Sequence, residues 1–350
     1  MVLPASSANR RLLQPFEGQG LSPPPIWLMR QAGRHLPEYR ATRAKAGSFL
    51  ELCYTPALAA EAALQPIRRY GLDAAILFSD ILVVPDALGQ RVEFSEGAGP
   101  RLEPIRSAKE LVRLSPRASG DKLGRVCEAV ARLRQDLPQQ TALIGFCGAP
   151  WTVASYMVEG GGSADQAQAR LWAYRDPKGF AELMALLVES SIAYLNGQLD
   201  AGADLVQIFD TAAGGLPDLE FQRWVLAPTR QIVQGVRASH PGVPIIGFAR
   251  GAGVELAAYA AATGVQGIGC DTATPVRQMV AMARDKALVV QGNIDPLLLL
   301  GDAGRCEEAA RRLVQAMGGL PFIANLGHGV RPETPPEHVA RLVASVRASG

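Results

Sequence analysis

The sequence is poor in the side chains that most cofactor chemistry needs. Its only histidines are His35, His240, His328 and His338, with no HxH and no HExxH spacing. A barrel-type zinc centre wants several imidazoles converging on one ion, so no metal site is expected. Lysine is scarce too: Lys45, Lys109, Lys122, Lys178 and Lys286. None ends a strand-like run, which removes the obvious Schiff-base nucleophile. The cysteines (53, 127, 147, 270 and 306) are odd in number and form no CxxC pair. That pattern suits free thiols in a reducing compartment, not a disulfide framework. No apolar stretch reaches the ~18–20 residues of a membrane helix. The glycine-rich stretches "GAGVEL" and "GIGCDT" complete neither GxGxxG nor a phosphate-binding loop. A net charge of +2 and a pI near 8.3 lack the basic excess of a nucleic-acid binder. No internal repeat is visible. The expectation is a protein with no metal, no organic cofactor, no nucleic acid and no membrane partner.

What is present is a regular alternation. Eight short apolar runs read as buried parallel strands: 26–30, 73–80, 141–148, 203–210, 244–250, 265–271, 287–293 and 321–328. Ala- and Leu-rich segments of helical period separate them. Thr55-Pro56 predicts a capped helix start and Gly71 its end. Leu123, Val126, Val130 and Leu133 make one apolar face on a later helix. The count predicts an α/β fold, a single (β/α)8 TIM barrel, with a doubly wound open sheet as the alternative. Such barrels occupy about 250 residues, so 350 leaves room for extensions. Residues 91–103 read as an inserted β-hairpin, and 149–202 hold the glycine loop "EGGGS" and a long helix. Residues 1–21 read as a flexible N-terminal tail of a cytoplasmic protein, and 22–350 as the catalytic barrel. Residues 1–16 hold no acid and two adjacent arginines, so a short transit-like stub is the other reading of that end.

Barrel enzymes build their sites from the C-terminal ends of strands. Nearly every run here ends on a polar or ionisable residue: Arg30-Gln31, Asp80, Asp210-Thr211, Arg250, Asp271, Asn293 with Asp295, and His328. Asp210, Asp271 and Asp295 read equally well as helix caps or loop supports. Asp80 is different, because apolar chain flanks it on both sides and a carboxylate there needs partners or a job. In "PIWLMRQAGRHLPEYR" positive charge gathers just past an apolar run, with Arg30, Arg34 and Arg40 opposed only by Glu38. Guanidinium groups suit carboxylates, so an anionic substrate with several carboxylates is expected. Arg43, beyond Pro37, reads as a solvated charge.

Four segments carry a resemblance. "MRQAGRHLPEYR", "FSDILVVPDALG", "GFCGAPWTVASYMVEGGGS" and "NLGHGV" are similar to the signature segments of the uroporphyrinogen decarboxylase family. The likeness runs from about residue 22 to the C-terminus. It implies a cofactor-free, homodimeric (β/α)8 barrel whose substrate is uroporphyrinogen. It implies that Arg30, Gln31 and Arg34, with the backbone of Ala32 and Gly33, bind substrate carboxylates. Asp80 would be the central catalytic carboxylate, joined by Arg30 and by Tyr156 and His328 lining the pocket. Phe209 would pack on the macrocycle beside Thr211, which stands where serine is frequent. His35 stands in place of a usual tyrosine, and Asp210 where glutamate is frequent. The rival readings are a zinc-dependent corrinoid or thiol methyltransferase of the same superfamily and a non-catalytic tetrapyrrole-binding barrel. The run "IIGFARG" carries no His or Cys for the former, and the latter would lack Asp80 or Tyr156.

Overall fold

Parallel strands dominate the computed structural model, which describes residues 10–95, 99–115, 119–284 and 288–349. In chain order the strands are β1 (Ala74–Ile76), β2 (Val92–Ser95), β3 (Gly99–Leu102), β4 (Ala142–Gly148), β5 (Leu205–Asp210), β6 (Ile245–Ala249), β7 (Gly267–Gly269), β8 (Val289–Ile294) and β9 (Phe322–Leu326). Seven of them form one parallel sheet in the order β1-β4-β5-β6-β7-β8-β9. The strands β2 and β3 pair antiparallel, Val92 opposite Leu102, where the insertion was expected. Their connection, 96–98, lies outside the described residues.

The expected first strand, 26–30, is not a strand. Only Ile26 pairs, in a single parallel bridge to Ala324. The segment nevertheless touches both edges of the sheet. Ala324 N–H donates to the Pro25 carbonyl at 2.8 Å, and Asp73 N–H donates to the Ile26 carbonyl at 2.9 Å. Extension stops there because the chain turns at once: Gln31 N–H bonds the Leu28 carbonyl at 3.0 Å, and Arg30 takes a left-handed backbone with φ 59°.

Alternation along the strands separates two cores. Ala142 and Ile144 on β4, Leu205 on β5, Ile246 and Phe248 on β6, Val289 on β8 and Ile323 on β9 cluster inside the sheet with Trp27. Their neighbours Leu143, Val206, Ile208, Ile245, Val290 and Phe322 pack outward beneath the helices. The helices on that outer layer include Pro56–Tyr70, Ser119–Asp136, Pro177–Asp200, Ala227–Ser239 and Ala303–Ala316. Gly71 ends the first of these as expected, in the left-handed conformation with its N–H on the Ile67 carbonyl at 2.8 Å. Thr55 does not cap it: its hydroxyl donates back to the Glu51 carbonyl at 2.7 Å, in the preceding helix.

The expected flexible tail is corrected over its described part. Residues Arg11–Glu17 form a 3-10 helix. Leu12 and Leu13 are buried among the inward residues at the N-terminal ends of the strands, and Phe16 packs against them. The two adjacent arginines are anchored there as well. Arg10 pairs with Asp204, which also meets Arg134 at 3.2 Å, and Arg11 reaches Asp73 at 3.8 Å. An open sheet end exposes apolar surface that a short amphipathic segment can cover, and Leu12-Leu13 supply it.

Leu12→Ala and Leu13→Ala should each cost about 2–5 kcal/mol, the range for fully buried leucines. Urea unfolding midpoints read this directly. Unchanged midpoints would mean that the segment is a free tail after all.

Candidate active site

The segment that joins the sheet edges delivers the first site residues. Beyond Trp27 the turn Leu28–Gln31 is pinned from two sides. Met29 N–H donates to Asn325 Oδ1 at 3.0 Å, and Gln31 Oε1 accepts from Leu28 N–H at 3.0 Å. Gln31 Nε2 donates to the Ala74 carbonyl at 3.1 Å. The carboxamide of Gln31 is thus committed to scaffold on both its atoms, and its N–H is committed too. A ligand contact was expected of Gln31; here it is buried, holds the turn and does not line the cavity.

The other expected residues do meet. Arg30, Ala32, Gly33, Arg34, Asp80, Tyr156, Phe209, Thr211 and His328 all line one cavity of about 540 Å³. It opens at the C-terminal ends of the strands. Asp80 arrives on extended chain beyond β1. That chain stays registered with β4, since Leu77 N–H bonds the Ile144 carbonyl at 3.0 Å. Tyr156 projects from the helix Pro150–Glu159, whose entry is tied to β5 by Ala149 N–H on the Phe209 carbonyl at 2.8 Å. Phe209 meets Phe146 and Phe248 edge to face, with ring centroids 5.6 Å and 6.0 Å apart. His328 stacks on Phe248, centroids 6.4 Å apart and 19° from parallel. The wall is therefore aromatic on one side and charged at the rim.

Sequence reasoning missed Arg43. It was expected as a solvated charge, but it is half-buried and lines the cavity from the last turn of the helix Pro37–Arg43. The helix folds back, so distance along the chain misled. The polar neighbour of Asp80, Ser79, also lines the cavity, and its hydroxyl lies 3.4 Å from that of the buried Tyr194.

Three carboxylates near strand ends turn out to support loops. Asp295 accepts from Leu297 N–H at 2.9 Å. Asp271 accepts from Gly251 N–H at 2.7 Å and from Ala273 N–H at 3.0 Å. Asp210 is fully buried and accepts from the Thr152 hydroxyl, and Thr152 accepts in turn from Ala212 N–H at 2.9 Å. Burial pushes the Asp210 carboxyl up to about 7 against that hydrogen bond. None of the three lines the cavity.

The charges at the mouth are left unmatched. Among the described residues no carboxylate comes within ion-pair distance of Arg30, Arg34, Arg43 or Arg250, whereas Arg10, Arg69 and Arg113 each have a partner. Asp80 accepts from Leu82 N–H at 2.9 Å and has no paired cation among the described residues. Desolvation raises its pKa, opposed by that N–H and by the field of Arg30. Tyr156 is raised by burial and then by Asp80, against Arg30 and Arg250. His328 is lowered to about 4, first by burial and then by Arg30 and Arg250, so it is a neutral imidazole at pH 7. His35, buried beside Arg34, is also lowered to about 4, chiefly by burial. Among the described residues no three His, Cys, Asp or Glu side chains cluster as metal ligands.

Two histidines that resist protonation make stability fall with acid. Below pH 6.5 the unfolded chain takes up both protons, while the folded chain does so only near pH 4. Each histidine therefore contributes a slope of up to ~1.4 kcal/mol per pH unit between those limits, with stability lost as the pH falls. His35→Gln should flatten the slope over that window in urea titrations. Ring C–H resonances should titrate near pH 4; midpoints near 6.5 for either residue would contradict the desolvated site.

Comparison with known proteins identifies the family. A family model described as Uroporphyrinogen decarboxylase (URO-D) matches residues 7–349. A uroporphyrinogen decarboxylase of Rhodospirillum rubrum is 52% identical over 343 residues, covering 98% of each chain. One from Sinorhizobium fredii is 53% identical over 344 residues, covering 98% of this chain and 99% of its own. Among solved structures, a methyltransferase from Methanosarcina mazei superposes with a TM-score of 0.79 over 96% of this chain and 97% of its own. At 21% identity that likeness speaks for the fold alone. With the family model and relatives at about half identity both spanning nearly the whole sequence, the chain belongs to the uroporphyrinogen decarboxylase family.

Proposed function

We propose that the protein is a uroporphyrinogen decarboxylase, converting the four acetate side chains of uroporphyrinogen III to methyl groups with release of CO2 and formation of coproporphyrinogen III. The observation that carries this reading is the unmatched charge of the cavity: a carboxylate at its wall and three guanidinium groups lining it, none of them in an ion pair among the described residues. A polycarboxylate that becomes cationic in its ring during reaction satisfies both sets.

Loss of CO2 from an acetate leaves an electron pair on carbon, and that pair needs a sink. Protonation of the attached pyrrole at its α-carbon makes a cationic, iminium-like ring. The carbon–carbon bond then breaks, CO2 leaves, and the pair enters the ring. Protonation of the exocyclic carbon and loss of the ring proton complete the methyl group. The role we assign to Asp80 is to accept the pyrrole N–H groups and to bind the ring more strongly as it turns positive, which is stabilisation specific to the transition state. Arg30, Arg34 and Arg43 would hold carboxylates that are not reacting. Phe209 would pack on the macrocycle beside Thr211, while Ala32 and Gly33 offer backbone at the rim. Tyr156 and neutral His328 would donate hydrogen bonds to the substrate.

This reading makes the protein a cofactor-independent carboxy-lyase of the cytoplasm. It also takes the described stitch at Pro25–Trp27 as the eighth stave of a closed barrel, and the active unit as a homodimer, as the family resemblance implies. The rival reading kept from the sequence is zinc-dependent methyl transfer. One experiment separates them: anaerobic incubation with uroporphyrinogen after dialysis against a strong chelator, with product carboxylates counted by chromatography. We expect full turnover by the dialysed wild type. Asp80→Asn, which keeps the size and removes the charge, should lower the rate by ~10²–10³, the range for removing one preorganised stabilising group. Activity that vanishes on dialysis and returns with zinc favours methyl-transfer chemistry, and near-normal rates for a folded Asp80→Asn remove the assigned role.

Arg34→Ala and Arg43→Ala should each lose ~1.5–3 kcal/mol of transition-state binding, about ten- to a hundredfold in kcat/KM, since each removes a charge-assisted partner. Arg34→Lys should fall between, because an ammonium keeps the charge without the two-pronged geometry. If Arg43→Ala stays within ~0.5 kcal/mol, like most surface changes, Arg43 is a bystander at the rim.

A further inference from the structure

Arg30 has an unusual problem. Its backbone is in the left-handed region, φ 59°, where a residue with a side chain carries a cost. Its guanidinium has no ion-pair partner among the described residues. Something other than charge must therefore decide where this long side chain lies. A contact with Gly329 can do so. A Cβ built on Gly329 would fall 2.6 Å from Arg30 Cγ, 3.0 Å from Nε and closer still to Cδ. The stem of Arg30 thus lies flat across the bare backbone of Gly329, in space that any side chain would claim. The two segments are locked in register on either side of this contact. Val330 N–H donates to the Met29 carbonyl at 2.8 Å, so the residue after Gly329 holds the residue before Arg30. The backbone of Gly329 has no left-handed φ, so glycine is required there for space and not for conformation.

We propose that Gly329 is a positioning residue for Arg30: its missing side chain forms the groove that aims the guanidinium into the carboxylate-binding mouth. This rests on the reading of Arg30 as a substrate-binding group. Alanine at 329 leaves two ways out, since the lock between Met29 and Val330 keeps the backbones together. Either the arginine swings away, or the lock breaks.

The test is a double-mutant cycle of Gly329→Ala and Arg30→Ala, because a residue that acts through another has no effect once that other is removed. Two readouts are taken: Kd for uroporphyrin, the stable oxidised porphyrin, by titration calorimetry, and Tm without ligand. In the wild-type background Gly329→Ala should weaken uroporphyrin binding at least tenfold and lower Tm. In the Arg30→Ala background the same change should alter Kd by less than twofold and leave Tm nearly unmoved. Equal losses in both backgrounds overturn the proposal, since the methyl group then harms something other than Arg30. If Gly329→Ala alone does not fold, a folded double variant supports the proposal and an unfolded one overturns it. The thermal arm needs no ligand, so it judges the contact even if the wild type neither binds uroporphyrin nor turns over uroporphyrinogen, an outcome that would count against the functional reading instead.

Discussion

A few backbone hydrogen bonds carry much of this architecture. Pro25 and Ile26 use their carbonyls to join Ala324 on β9 and Asp73 before β1. The edges of the parallel sheet would otherwise present unpaired polar groups, which favour pairing with other chains. The stitch is short, and its shortness creates the site. Because the chain turns after Trp27 and does not run on as a strand, Arg30 emerges at the mouth instead of inside a wall. Asn325 Oδ1 and Gln31 Oε1 then accept from N–H groups of the turn, Gln31 Nε2 ties it to Ala74 on β1, and His328 and Gly329 come just after Asn325 at the same strand end. Cavity-lining residues and scaffold thus share one small piece of chain.

The two ends of the strands answer opposite demands. At the N-terminal end Leu12 and Leu13 fill the interior, and Arg10, Arg11, Arg134, Asp73 and Asp204 neutralise one another around them. At the C-terminal end the interior is left empty and the arginines are left unpaired. A fold with a satisfied floor can tolerate an unsatisfied mouth, because the stability comes from the layers below. Phe209, Phe146 and Phe248 mark the boundary, since they belong to the packed interior on one side and to the open cavity on the other.

Much of this was legible in the sequence, for physical reasons that also define its limits. Buried parallel strands are written as short apolar runs, so Ala142–Gly148 and Val289–Ile294 were visible. A run ending on Asp80 between apolar neighbours marked a carboxylate with no bland explanation. Sequence could not tell Arg30 from Gln31, because adjacent polar residues at a strand end look alike until the turn decides which faces the cavity. It misjudged Arg43, because separation along the chain says little once a helix folds back. It took Leu12-Leu13 for tail, because two leucines beside two arginines carry no periodicity. Thr55 showed the same limit in small: a capping sequence was present, but its hydroxyl found a nearer carbonyl in the preceding helix.

The separation of Asp80 from the arginines has a consequence for binding. Arg30 lowers the pKa of Asp80 through space, yet the two form no ion pair. Had they paired, each would be satisfied without a ligand, and a substrate would first have to break a desolvated pair, a step that costs several kcal/mol when one partner is left uncompensated. Held apart, each is left without an opposite charge among the described residues, Asp80 having only the Leu82 N–H. In the proposed reading, carboxylates of the ligand would relieve the arginines and pyrrole N–H groups would relieve Asp80, so the same molecule would remove two sources of electrostatic strain at once. The gain is greatest for a ligand that places acid groups at its rim and N–H donors at its centre. A simple polyanion would satisfy the rim and repel Asp80, and a neutral ring would satisfy Asp80 and leave the rim bare. On the proposed function, selectivity for a carboxylated tetrapyrrole would therefore arise from keeping opposite charges of the protein from meeting.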